Sequence, residues 1–424
     1  MKTVKITFVV MAAALFAVGM GTTAYAFHSG GVAECEGCHS MHTPVATDQL
    51  LVGETKSATC LTCHQGATDT GPRSYHVSTV AGTVSLTTPP KQRGPGGDFG
   101  WLQLGFTYGT SGSEPGQTHG HNIVAPTYGY NVDPDHATAP GGAFLSSNLH
   151  CSSCHDPHGQ ARRLSDGSIV MTGAPIIGSG SYDTSAVPLA GQAVGVYRIL
   201  ASRTDYQFGP TGGFAGAPAA VAPATYNRTE AVSSTRVAYG ISAGAGHQEW
   251  GAWCGTCHSD MVPGTGRHRH PVDAALTGPI VTTYNNYVKS GDQSAAFTAT
   301  PGPFTSLVPF VENQDYAVLS THAKTTGIVA GPATGDKVTC LSCHRAHASG
   351  WLHALRWNPG YEFLTKAGEY VATDNPDFGN WGSRASTQAM GRNIATYKAA
   401  MYDRPASQFA TYQRSLCNKC HGWD

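Results

Sequence analysis

Six copies of one pentapeptide, Cys-x-x-Cys-His, hold every cysteine of this 424-residue chain. They are Cys35, Cys38 and His39; Cys60, Cys63 and His64; Cys151, Cys154 and His155; Cys254, Cys257 and His258; Cys340, Cys343 and His344; and Cys417, Cys420 and His421. Two thiols at this spacing can each form a thioether to one porphyrin, and the histidine beside them then reaches the iron as an axial ligand. A disulfide framework would scatter its spacings, and structural zinc gives no reason for a histidine after every pair. Iron–sulfur clusters need free thiolates in denser runs. The pattern predicts six covalently attached haem c groups, and therefore electron chemistry.

By position, His39, His64, His155, His258, His344 and His421 are the proximal ligands. Fourteen further histidines are available for the six remaining axial positions, whereas the chain has eight methionines, three of them at positions 1, 11 and 20. Methionine cannot serve all six irons, so bis-histidine ligation by neutral imidazole is expected. The distal candidates are His28, His42, His76, His121, His158, His270, His322 and His347, of which six are needed. Three of them repeat one arrangement. His42, His158 and His347 each lie three residues after a motif histidine, in CEGCHSMH, CSSCHDPH and CLSCHRAH. Residues three apart share one face of a helical turn, and three residues cannot carry the chain round a macrocycle. The second histidine must then serve a neighbouring haem. His150, pinned beside Cys151, is a weak candidate. His119, His136, His247, His268 and His353 are read as surface or hydrogen-bonding residues, although spacing leaves His119 against His121, and His268 against His270, open. Two nitrogens per iron leave no exchangeable position, and no acid–base pair stands out. The chain is read as an electron-transfer protein and not an enzyme; a multihaem oxidoreductase with one open iron is the weaker alternative.

The segments that must position these residues are irregular. Residues 1–26 have a basic start, an apolar run from Ile6 to Met20 and a closing Ala24-Tyr25-Ala26, which is the pattern of a cleaved signal peptide. Residues 27–424 are expected to form a single hexahaem domain with no transmembrane anchor, because no other apolar stretch is long enough to cross a bilayer. Net charge is −1 and only 12% of residues are charged, so there is no basic field for nucleic acid. Motif spacings run from 25 to 103 residues, with long Gly- and Pro-rich intervals that interrupt helix and strand patterns. Short helical turns are expected at Leu61–Gln65, Cys343–Ala348 and Ser415–Cys420, and part of a helix at Thr396–Met401; the segment from Val281 fits helix or strand. The fold class expected is mostly irregular coil with short helices wrapped around the haems and little β-structure. The macrocycles are expected to supply the core and offset the ordering entropy of the loops.

Longer strings carry a more specific resemblance. FHSGGVAECEGCHSMH at Phe27, GGDFGW at Gly96, GHNIVA at Gly120, LHCSSCHDPHG at Leu149, YNRTEA at Tyr226, TRVAYG at Thr235, CLSCHRAHASG at Cys340 and YQRSLCNKCH at Tyr412 span the mature chain. It resembles the filament-forming hexahaem c-type cytochromes of metal-reducing bacteria, the extracellular nanowire cytochromes. The resemblance implies one linear chain of six bis-histidine haems, alternately parallel-stacked and T-shaped, in subunits joined head to tail. It implies that His42 crosses to the fifth haem, held by His344, of the next subunit. Function would be long-range extracellular electron transfer by a secreted homopolymer on the outer cell surface. Its partners would be other redox cytochromes and acceptors such as metal oxides or electrodes. A monomeric periplasmic or surface shuttle is the alternative. The chain departs from the family pattern at Gly66 and at Met261-Val262, where the family carries histidines, and His119, His268 and His353 are additions.

Overall fold

A computed structural model describes residues 35–420 except 48, 68–74, 111, 225–236, 242–243, 263–269, 287–307, 324–330, 376–382, 410, 416 and 418–419. The expected signal peptide, His28, His268 and His421 lie outside the described residues. Among the described residues, the longest α-helices, Lys56–His64 and Gly278–Asn286, have nine residues, and none is long and apolar enough to cross a membrane. The strands of the described residues are two or three residues long and form four small sheets. The coil-dominated fold read from the sequence is borne out. Glycine and proline recur through the intervals between motifs and keep the helices short.

The individual elements follow local chemistry. Thr55 starts the helix Lys56–His64 by accepting from the Ala58 N–H at 3.0 Å, and its own hydroxyl donates to the Val124 carbonyl. Asn393 caps Ile394–Ala400 in the same way through the Thr396 N–H. The turn expected at Leu61–Gln65 falls in the first of these helices up to His64, with Gln65 its extended C-cap, and that expected at Thr396–Met401 in the second up to Ala400, with Met401 its C-cap. The segment from Val281 is helical up to Asn286. Of the turn expected at Ser415–Cys420, Cys417 and Cys420 are helical. The Cys343–Ala348 turn is corrected: the helix occupies Cys340–Cys343, and the backbone is extended at His344 (φ −109°, ψ 155°). There His344 makes a β-bridge to Leu355, which a continued helix would forbid.

The polypeptide builds apolar clusters of its own. Trp101, Trp351, Trp357, Tyr370 and Tyr397 pack with Phe106, Met390 and Met401 in one apolar cluster, and the first five are at most 1% exposed. A second cluster joins Tyr197, Phe214, Tyr239, Trp250 and Trp253. The sequence reading missed these because their members are single aromatics scattered through loops, with no period to betray them. Polar sockets tie the loops to this frame. Asp98 is fully buried and accepts from the backbone N–H groups of Thr79, Gln92 and Gly100 at 2.7–2.9 Å and from the Thr79 hydroxyl at 2.5 Å.

Candidate haem-ligand trail

Each of the five described motif histidines turns Nδ1 onto a backbone carbonyl. His39 faces Gln49 (2.9 Å), His64 Tyr75 (2.6 Å), His155 Arg198 (2.8 Å), His258 Pro140 (2.8 Å) and His344 His353 (2.7 Å). A carbonyl can only accept, so Nδ1 carries the proton and Nε2 is left with a lone pair for a metal. This is the outer-shell arrangement that fixes the tautomer and plane of a ligating imidazole.

The first, third and fifth motifs share a further device. In each, the backbone N–H after the histidine donates to a distant carbonyl: Ser40 to Leu50, Asp156 to Ile199 and Arg345 to Ala354, at 2.7–2.8 Å. One residue further along that distant turn, Leu51, Leu200 and Leu355 bridge the histidine itself. The next residues, Val52, Ala201 and Arg356, donate back to the carbonyls of Cys38, Cys154 and Cys343. Leu50, Ile199 and Ala354 all adopt positive φ, between 48° and 56°, as do Arg198 and His353. Non-glycine residues held there cost of order 1–3 kcal/mol each, and the carbonyls that grip the ligands sit at these turns. Sequence reasoning missed them. Their one signal, a leucine at the bridging position, is hidden by variable separations from the motif.

The ligand candidates come together in pairs. A metal–imidazole bond of about 2 Å places the ring centroids of two trans axial histidines roughly 6 Å apart. His39 and His158 lie 6.5 Å apart with rings 11° from parallel. His155 and His347 are 6.3 Å apart, and His258 and His121 6.0 Å. These separations fit an iron between each pair. His76 lies close enough for its charge to act on His64, whose pKa is lowered chiefly by burial. Gly66 makes room for it, since a Cβ there would lie 2.2 Å from the His76 ring. Burial, then the charges of His155 and His121, pushes His347 down to about 3, so it is neutral, the ligating form. His121 is oriented by its Nδ1–H to the Ala346 carbonyl at 2.6 Å.

Neighbouring thiols place the motifs in chain order. Burial raises Cys38, and Cys60 and Cys63 beside it add to the shift. Cys60 and Cys151 share a hydrogen bond, as do Cys254 and Cys340. Burial, with Cys257 next to it, pushes Cys154 up to about 12, and burial with Cys417 and Cys420 does the same to Cys343. The junctions alternate. The second-to-third and fourth-to-fifth steps bring first cysteines together, whereas the other three run through the second cysteine of the earlier motif.

The remaining histidines separate by environment. His42 is exposed, as is His270. His322, at the end of the helix Tyr316–His322, pairs through Nδ1 with the Glu312 carboxylate. His247 has both ring nitrogens on carbonyls, of Ala217 and Gly167, and His150 bonds to Ser57. His136 pairs with Asp133, and His353 presents its carbonyl to His344. His119 is fully buried between Glu114, Arg392 and the Trp101 carbonyl. For His119, His136 and His247 the structure contains side-chain hydrogen bonds or ion pairs, as expected, whereas His353 bonds here through its backbone and His268 lies outside the described residues.

No family model matches the chain. It is 47% identical to the C-type cytochrome OmcS of Geobacter sulfurreducens in an alignment of 449 residues that spans all of both chains. This chain belongs to the OmcS family of c-type cytochromes. Two solved structures agree. The cryo-EM structure of the OmcS nanowires from Geobacter sulfurreducens superimposes with a TM-score of 0.80 at 46% identity, over 94% of this chain and all of that one. The Outer Membrane Cytochrome S filament from the same organism gives 0.78 at 44%, with the same coverage. The fold is OmcS-like, and a c-type cytochrome binds haem c covalently.

Proposed function

We propose that this protein carries electrons over long distances outside the cell, by hopping along six bis-histidine haems that run on from subunit to subunit of a head-to-tail filament. The observation that carries this reading is the set of three histidine pairs at axial separation, with motif cysteines paired at Cys60–Cys151 and Cys254–Cys340. Both solved relatives are filaments. With imidazole on both sides of each iron there is no site for a substrate, so the protein is an electron carrier and not an enzyme. When bound, the haem supplies the one-electron Fe(III)/Fe(II) couple. The chain's own residues orient Nε2 through backbone carbonyls, keep the imidazoles neutral and hold successive motifs within contact.

The ligand pairs also support the crossing ligand. His158, from the third motif, faces His39 of the first, and His347, from the fifth, faces His155 of the third. Ligation thus steps by two motifs. One further step asks the fifth motif's His344 to take its partner from the first motif of another copy, where the residue at the equivalent place is exposed His42. His42 and His344 belong to different motifs, so such a contact is heterologous and forms an open filament when its rotation does not close. His76 is assigned to the second haem and His121 to the fourth, while His270, His322 and His28 remain for the sixth. Export follows from the signal peptide at 1–26, leaving 27–424 as one hexahaem unit. Extracellular acceptors such as metal oxides or electrodes, and other cytochromes, complete the route. Haem-stained mass with electron paramagnetic resonance and microscopy tests this. Six low-spin haems in filaments are expected; a compact monomer with a stoichiometric high-spin iron would overturn it.

A further inference from the structure

A buried ionic cluster outside the ligand trail lies directly behind two of its members. Arg392, Glu114 and His119 are at most 1% exposed. The Arg392 guanidinium donates from Nη2 to Glu114 Oε2 at 2.6 Å, and from Nε and Nη2 to the Gly350 carbonyl at 3.0 and 2.8 Å. Its Nη2 is also 3.3 Å from His119 Nε2, and its plane lies 3.7 Å from the Phe106 ring centre. Tyr108 donates to the other carboxylate oxygen of Glu114. Burial alone would raise the Glu114 carboxyl, but hydrogen bonding with His119 and the charge of Arg392 hold it below its ordinary value. A salt bridge this deep is a poor source of stability, since desolvation of both ions offsets their attraction. Its position gives it a different use.

The two strands it grips carry distal ligands. His119 and Gly120 precede His121, while Gly350 follows His347 by three residues. The strands are laced together: the His121 N–H donates to the His347 carbonyl (2.9 Å), the Ser349 N–H to the His119 carbonyl (3.0 Å), and Gly120 bridges Ala348. A Cβ on Gly120 would fall 2.3 Å from the His347 carbonyl oxygen, so glycine alone permits this approach. Arg392 joins the His119 ring on one strand to the Gly350 carbonyl on the other. A single cation therefore spans both segments.

We propose that the Arg392–Glu114–His119 cluster is a positioning element that orients His121 and His347 together, so that the haems of His258 and His155 respond to it as a pair. The claim rests on the haem reading of those histidines, and it adds a rigid link between the third and fourth redox centres that backbone pairing alone does not provide. None of the three residues contacts an iron; each acts through the strands that bear the ligands.

The test uses full-length haem-loaded protein. Arg392→Met and Glu114→Gln are compared with the parent by haem-stained mass, electron paramagnetic resonance and potentiometric titration. His121→Met and His347→Met identify which transitions belong to the two haems. Six haems should be retained, two of the six low-spin signals and midpoint potentials should move together, and the other four should stay in place. Arg392→Lys, which keeps the charge without the planar fork, should restore the parental values in part. Glu114→Gln preserves shape and guards against a folding failure in Arg392→Met. If Glu114→Gln leaves both potentials and g-values at parental positions, or moves one haem alone, the positioning role is wrong. A parent without low-spin iron at these two sites would instead refute the haem assignment beneath it.

Discussion

Replacing Gly66 by alanine is expected to open one iron and leave five alone. The Gly66 N–H donates to the Ser78 carbonyl at 3.0 Å, and its carbonyl accepts from the Gln92 side chain at 2.9 Å, so the backbone there is held on both sides. An added Cβ would stand 2.2 Å from Cε1 of His76, where ordinary contact begins at 3.4 Å, so the ring must retreat by more than 1 Å. A metal–imidazole bond is only about 2 Å long and tolerates deviations of roughly 0.2 Å. The ligand is then lost from the second iron, while Cys60 and Cys63 keep that haem attached. Overpacking of this kind costs typically 1–3 kcal/mol. The assay is electron paramagnetic resonance of the ferric protein, with haem-stained mass as the control. A high-spin signal near one haem in six supports the reasoning. An unchanged, fully low-spin spectrum refutes the pairing of His76 with His64.

Other substitutions probe separate links. His42→Ala should keep all six haems yet shorten filaments seen by electron microscopy, and leave the iron at His344 five-coordinate. Trp351→Ala removes a fully buried ring stacked edge-on to Tyr397 at 4.8 Å and should destabilise the holoprotein by about 3–5 kcal/mol in denaturant unfolding. Cys417→Ser with Cys420→Ser should lower the haem count by one in stained mass and interrupt the end of the trail next to Cys343, leaving the histidine pairs of the first four motifs spectroscopically intact.

How far the sequence reached depends on whether the chemistry was local. The Cys-x-x-Cys-His pattern sits within five residues, so the c-type cytochrome character was legible, and the full-length similarity to OmcS agrees with the family read from the longer strings. His158 and His347 were expected to point away from their own motifs, and they do face His39 and His155, but helical spacing is not what places them. The chain is extended after the motif histidine, not helical, and the second histidine reaches another motif because the clamp at Leu200 or Leu355 turns the backbone away. What stayed hidden was non-local. The carbonyls of Gln49, Arg198 and His353 lie 10, 43 and 9 residues from the ligands they hold. Arg392 meets His119 across 273 residues. No periodicity links such partners, and glycine-rich loops of variable length conceal their register. Aromatic cores made of isolated tryptophans and tyrosines escape for the same reason.

The central claim is continuity of the haem chain through one subunit and into the next. A cryo-EM density map of the assembled protein tests it most directly, because iron positions and both axial ligands are read at once. The account predicts six irons per subunit in motif order, with His158, His76, His347 and His121 facing His39, His64, His155 and His258, and with His42 of the following subunit on the iron of His344. A map in which His42 binds no iron, or in which the haems of adjacent subunits lie out of contact, would contradict it.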